Sequence, residues 1–338
     1  MRQTAEAEID RPVRIDHGSH RSLSLDEEQA EVRKNLLRTL PRIDSKYFYD
    51  DSGSHLFEEI TRVPEYYQTR TEEALLAAIA DDVVEATGAR ELVEIGSGAG
   101  RKIRLLLDAM RRSGHLEGCV LLDINETFLR ASAETLAGCY GEMEVRGVVG
   151  DFLHDLGSVG ASGRQRLFIF LAGTIGNLYP RQMDGFLTRV RAALGPDDAF
   201  LVGLDLVKDP RRLEAAYNDS AGVTADFNLN ALRVLNRRFG TDFEIDAFTH
   251  VAFYDDDQEW IEMRLRALRP TTVSLGDSRR LQFDTGDDIR TEVSRKFTRD
   301  SFVSALTGTG LELAEWFTDS DELFASALVR PVGGRISL

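Results

Sequence analysis

Residues able to hold a metal or a cross-link are scarce in this chain. Its two cysteines, Cys119 and Cys139, form neither a disulfide framework nor a zinc pattern. Six histidines, at 17, 20, 55, 115, 154 and 250, are scattered without ligand spacing, so no metal is expected. Positive charge is also in deficit. With 41 Lys and Arg against 57 Asp and Glu, the formal net charge is −16. That balance argues against a nucleic-acid surface and favours a small-molecule substrate. No membrane-length apolar run, secretory leader, internal repeat or low-complexity tract is apparent, so a cytoplasmic protein with no membrane partner is the expectation. What is present suits a globular core. The chain is 42% hydrophobic and 29% charged, and 338 residues allow one large or two ordinary domains.

The most informative segment is Leu92-Val93-Glu94-Ile95-Gly96-Ser97-Gly98-Ala99-Gly100, a buried strand running into a glycine-rich turn. Gly96, Gly98 and Gly100 let backbone approach a ligand where a Cβ would collide. Ile103, Leu106, Leu107 and Met110 then share one helical face, and a second strand, Cys119 to Leu122, ends in Asp123. This is a nucleotide-binding β-α-β layout, with the acid placed for ribose hydroxyls. The Gly-x-Gly-x-Gly spacing departs from the dinucleotide fingerprint and resembles the first motif of S-adenosylmethionine-dependent methyltransferases.

Residues 1–23 lack periodicity and read as a mobile tail, after which Ser24 to Glu27 looks like a capping box opening a helix. Tyrosines crowd the segments Lys46–Ser54 and Glu65–Glu72, which suits either a binding surface or packing between loops. From about residue 71 strands and helices alternate, including Val145–Val149, Arg166–Leu171 and Ala199–Leu204, and imply a parallel sheet with covered faces. Val251–Tyr254 and Trp260–Ala267 then flank a turn as an antiparallel hairpin. Helix and two strands return over Phe302–Leu306, Leu311–Phe317 and Phe324–Val329. The expected fold class is α/β: a Rossmann-like domain over 71–206 plus 297–338, with a second, inserted α+β domain over 24–70 plus 207–296.

Four further segments make the resemblance specific. They are Tyr47-Phe48-Tyr49-Asp50 with Leu56 to Thr61; Thr174-Ile175-Gly176-Asn177-Leu178; Asp205 to Asp209 with Tyr217; and Thr291 to Phe297. In order and combination the chain resembles the histidine-specific α-N-methyltransferases of ergothioneine biosynthesis, from about residue 35 to the C-terminus. The resemblance implies a class I methyltransferase domain and a cofactor site of Gly96, Lys102, Asp123, Asp151 and Phe152. Asp123 would hold the ribose, while Asp151 and Phe152 would meet the adenine; the alternative for Asp151 is a helix cap or turn residue, but its place after the strand Val145–Val149, at the carboxyl edge where such sheets bind ligands, favours the ligand role. Asn177 and Tyr217 would bind the substrate carboxylate, Tyr49 would lie by the α-amino group as the catalytic residue, and Phe57 and Tyr66 would form aromatic walls. Glu292 and Ser294 would read the imidazole, with Met263 beside it. Family members often carry glycine where this chain has Ala172, and aspartate where it has Asn218.

The implied reaction is successive transfer of three methyl groups from S-adenosyl-L-methionine to the α-nitrogen of L-histidine, through the mono- and dimethylated amines, giving hercynine and S-adenosyl-L-homocysteine. A monomer is the expected state. A related amino-acid or amine N-methyltransferase is the alternative, and a noncatalytic cofactor-binding regulatory module is a more remote one.

Overall fold

The structure, a computed structural model, describes residues 13–19, 24–97, 100 and 102–334. Six strands come first: β1 (Arg14–His17), β2 (Glu91–Ile95), β3 (Gly118–Asp123), β4 (Glu144–Val149), β5 (Arg166–Phe170) and β6 (Ala199–Asp205). A second region adds β7 (Phe248–Asp255), β8 (Trp260–Ala267), β9 (Thr271–Ser274), β10 (Arg280–Phe283) and β11 (Asp288–Arg295). The chain closes with β12 (Leu311–Thr318) and β13 (Phe324–Pro331).

Among the described residues the main sheet has eight strands in the order β1-β4-β3-β2-β5-β6-β13-β12. The first six run parallel, and β13 is antiparallel to both β6 and β12. Every residue of β2, β5 and β6 is buried, as largely apolar strands covered on both faces require, with Glu91, Glu94, Arg166 and Asp205 as buried charged residues. Helices Gln68–Thr87, Ile103–Arg112 and Glu126–Cys139 pack on one face. Pro180–Ala193 and Arg299–Leu306 cover the other.

A third apolar cluster joins residues 32–67 to residues 213–289 and Leu323. Its elements are the helices Leu25–Leu36, Asp51–Ile60 and Val223–Phe239 and the sheet β11-β8-β7. The expected capping box is present: Glu27 N–H donates to Ser24 Oγ at 3.3 Å, and Ser24 N–H donates to Glu27 Oε2 at 2.8 Å. No described helix is long and apolar enough to cross a membrane.

One expectation is corrected. The segment read as a mobile tail contains β1, which pairs in parallel with β4 from Arg14 opposite Arg146 to His17 opposite Val149. The strand is too short and too exposed to show a period, and it is held by its partner. Arg146 reinforces it by donating to Asp16 at 2.8 Å. Residues 1–12 and 20–23 of that segment lie outside the described residues.

Candidate active site

All thirteen residues singled out by sequence line one cavity of ≈820 Å³, within the range of small-molecule clefts. The carboxyl ends of β2 to β6 form one side. Residues 49–66, Tyr217, β8 and β11 form the other.

On the sheet side, Gly96 follows β2 at φ 70°, a left-handed conformation that suits glycine, and its N–H donates to the Leu122 carbonyl at 2.7 Å. Gly98 of the same motif lies outside the described residues. Asp123 ends β3, and its Oδ1 accepts from Asn125 N–H at 2.8 Å. Asp151 caps the short helix Phe152–Asp155, accepting from Leu153 N–H at 2.8 Å, so it is a cap that also faces the cavity. The Phe152 ring packs 5.1 Å from Phe170 and 5.7 Å from Phe186. Glu94 lines the same space, and its buried Oε2 has no partner among the described residues. Burial, then the neighbouring Asp123 charge, push its pKa well above the usual carboxylate range. A buried acid with one oxygen unpartnered among the described residues, next to a second acid at a strand end, fits a ligand that carries both hydroxyls and positive charge.

Lys102 faces the cavity, but its ammonium is bonded to Glu72, whose side chain is fully buried. Glu72 also accepts the Ala172 N–H at 2.9 Å. A Cβ on Gly203 would lie 2.0 Å from Glu72 Oε1, so glycine there is what lets the acid reach between the strands. Ala172 adopts φ 63°, a left-handed conformation that suits glycine better than an L-residue.

On the opposite side, aromatic rings form a continuous wall. Tyr49 lies 5.8 Å from Phe57, Phe57 6.3 Å from Tyr66, and Tyr66 6.4 Å from Tyr217. The tyrosine-rich segments divide between two places: Tyr47 and Tyr67 are buried in the packing, while Tyr49 and Tyr66 line the cavity. Burial, then the Glu292 charge, raise the Tyr49 pKa well above that of a free phenol.

A β-bulge sets the remaining side chains. Between Arg290, opposite Arg264, and Glu292, opposite Met263, Thr291 is the extra residue in β11. It moves Glu292 and Ser294 onto the face of Met263 and Ile261. In an unbroken alternation they would fall on the other face. Asn177 Nδ2 donates to Glu292 Oε2 at 3.4 Å, and Tyr217 O–H donates to Ser294 Oγ at 2.7 Å. Each residue expected at the substrate carboxylate thus touches one expected at the ring.

Behind Tyr217 and Ser294 lies an ionic cluster that the sequence reading did not assign. Asp205, at the end of β6, accepts from Tyr67 at 2.8 Å, Lys208 at 2.5 Å and Lys296 at 2.8 Å. Burial opposes its ionisation, but the Lys296 and Lys208 ammoniums outweigh that and hold its carboxyl below the usual value. A sequence signal existed for Glu72, another buried acid that the sequence reading did not assign. Glu72 precedes Leu75, Leu76, Ile79 and Val83 on one helical face, so an acid occupies a buried stripe. Lys296 continues the alternation of Glu292 and Ser294, but only once the bulge has set the phase.

A family model described as "Histidine-specific methyltransferase, SAM-dependent" matches residues 28–331. The "Histidine N-alpha-methyltransferase" of Mycobacterium tuberculosis (strain CDC 1551 / Oshkosh) is 43% identical over 299 residues, 88% of this chain and 93% of that protein. The protein of the same name from Mycolicibacterium smegmatis (strain ATCC 700084 / mc(2)155) is 43% identical over 290 residues, covering 86% of this chain and 90% of its own. Among solved structures, a S-adenosylmethionine-dependent methyltransferase from Clostridium acetobutylicum ATCC 824 aligns with a TM-score of 0.46 and 10% identity, over 83% of this chain and 98% of that one.

Proposed function

The chain belongs to the histidine-specific, S-adenosylmethionine-dependent methyltransferase family, and from that premise we propose that it methylates the α-amino nitrogen of L-histidine three times in succession, giving hercynine. One observation carries the reading: the residues expected to hold the methyl donor and those expected to hold an amino acid line a single cavity.

When bound, S-adenosylmethionine supplies an electrophilic methyl group on a sulfonium. Asp123, Asp151, Phe152, Gly96 and Lys102 are the residues proposed to hold it. Glu94 would be relieved of its unfavourable burial by the positive charge of the same ligand. Asn177 and Tyr217 are proposed to bind the substrate carboxylate, so that the amine is directed toward the sheet side. Held protonated by its surroundings, Tyr49 acts as a neutral phenol that orients the amine rather than as a phenolate base, and the one proton the nitrogen loses for each methyl gained passes out of the cleft to solvent. Phe57 and Tyr66 exclude water and leave an apolar, uncharged wall that admits the amine as it grows by one methyl at a time. Glu292 and Ser294 read the ring beside Met263, and a side chain without ring nitrogens leaves them unpaired. The proposed division places 71–206 plus 297–338 with the cofactor and 24–70 plus 207–296 with the amino acid. The apolar cluster of residues 32–67 with 213–289 supports it. A monomer suffices for this chemistry, since the candidates all come from one chain.

The test is mass spectrometry of histidine incubated with enzyme and methyl donor, paired with kcat/KM for histidine and tryptophan. Trimethylhistidine should accumulate. Glu292→Ala combined with Met263→Val should shift preference toward tryptophan, because the acceptor that penalised it is gone and the pocket is wider. An unchanged preference in folded enzyme places ring recognition elsewhere.

A further inference from the structure

Lys296 is fully buried, belongs to none of the assigned positions, and stands directly behind two of them. An ammonium has three protons and no lone pair. Among the described residues its ammonium donates to Asp205 Oδ2 at 2.8 Å, Ser294 Oγ at 2.9 Å and the Tyr217 hydroxyl at 3.0 Å, which uses all three protons. Because Lys296 cannot accept, both hydroxyls must offer it a lone pair, and each keeps its own proton for another partner. Tyr217 spends its proton on Ser294 Oγ at 2.7 Å. Ser294 Oγ then has both lone pairs engaged, and its remaining capacity is a proton on the cavity wall.

We propose that Lys296, held by Asp205, is a positioning residue that makes Tyr217 and Ser294 hydrogen-bond donors toward the substrate, and so fixes which azole ring the pocket accepts. This rests on the histidine reading above. A carboxylate arriving at Tyr217 accepts the phenolic O–H hydrogen bond in place of Ser294, as an acceptor-only group should. Ser294, still capped by Lys296, donates its O–H to a ring lone pair. Glu292, two residues earlier on the same strand face, is the acceptor for a ring N–H. One donor beside one acceptor matches a ring with one N–H and one lone pair, the neutral imidazole. A ring with an N–H but no lone pair strands the Ser294 proton in a buried place.

The experiment compares kcat/KM for histidine with both pyrrolylalanine isomers, which keep a ring N–H and lack the second nitrogen. It uses wild type, Lys296→Met, the charge-balanced Asp205→Asn/Lys296→Met, and Ser294→Ala, with S-adenosylhomocysteine titration reporting an intact cofactor side. Wild type should favour histidine by at least about tenfold. In Lys296→Met that ratio should fall toward one, chiefly through a raised KM for histidine, with S-adenosylhomocysteine affinity unchanged. The double variant should do the same without leaving Asp205 short of a partner. Ser294→Ala, which leaves the Lys296–Asp205 pair alone, should also lose the ratio. A Lys296 variant that binds S-adenosylhomocysteine and keeps the wild-type ratio overturns the proposal, as does Ser294→Ala keeping it. Wild type that methylates histidine and both pyrrolylalanines equally overturns this inference alone, whereas wild type inactive on histidine overturns the histidine reading beneath it.

Discussion

Glu292 carries a carboxyl whose pKa burial pushes up to about 7, with the Lys296 ammonium pulling the other way. A raised acid pKa means that the folded state resists ionisation. Below the ordinary carboxyl value of 4.5 folded and unfolded chains are both protonated and nothing is lost; between there and about 7 only the unfolded chain ionises, and the native state loses ground. Glu292→Gln should therefore melt higher than wild type at pH 8, by on the order of 1–2 kcal/mol after allowance for partial exposure, and equally at pH 4. Thermal melts across that range measure it, and a constant difference would show that the carboxyl does not titrate there. The same penalty suits the binding role proposed for Glu292, since an acid is stabilised in such a place by a ligand N–H. Asp123 sits at the other end of the cavity. Asp123→Ala should weaken S-adenosylmethionine binding by about 1.5–3 kcal/mol per charged hydrogen bond lost. Calorimetric titration giving an unchanged dissociation constant would remove Asp123 from the ribose role.

At the scale of elements, the loop after β5 and the bulge in β11 do what regular strands cannot. Ala172 holds a left-handed backbone that costs an L-residue about 1–2 kcal/mol, offset here by its N–H bond to Glu72. Ala172→Gly removes that strain while adding about 0.5–1 kcal/mol of unfolded-state entropy, so a net gain of about 0.5–1 kcal/mol is expected in denaturant unfolding. A loss of stability would mean that the methyl packs usefully in the loop. The strands themselves were legible. β8 was anticipated at Trp260–Ala267 from its alternation, and β2 from its apolar run before a glycine turn. The bulge was not legible, because an extra residue in a strand leaves no mark on composition and is defined only by what lies across from it.

Across the whole molecule, the cavity draws its walls from two bodies of packing. One is the main sheet with its helices; the other is the cluster joining the early aromatic segment to β7, β8 and β11. Hydrogen exchange should report the division. S-adenosylhomocysteine should protect the turns after β2, β3 and β4, and histidine added to that complex should protect 49–66 and 291–296 together. Protection of only one of those two segments would break the proposed arrangement.

Sequence alone determined what is local or periodic: the alternation of apolar strands and amphipathic helices, the glycine turn before Asp123, the capping box at Ser24, the closing antiparallel pair, and the motifs whose order marks the family. Those features depend on a few neighbours in the chain, so residue type and spacing carry them. Tertiary structure decided what depends on distant partners. It placed β1 on the sheet edge, where Val149 and its neighbours complete its hydrogen bonds. It set the phase of Glu292 and Ser294 against Met263. It also closed the buried cluster of Asp205, at the end of β6, with Lys296, just past β11, and Lys208, charges whose burial is tolerable because they meet.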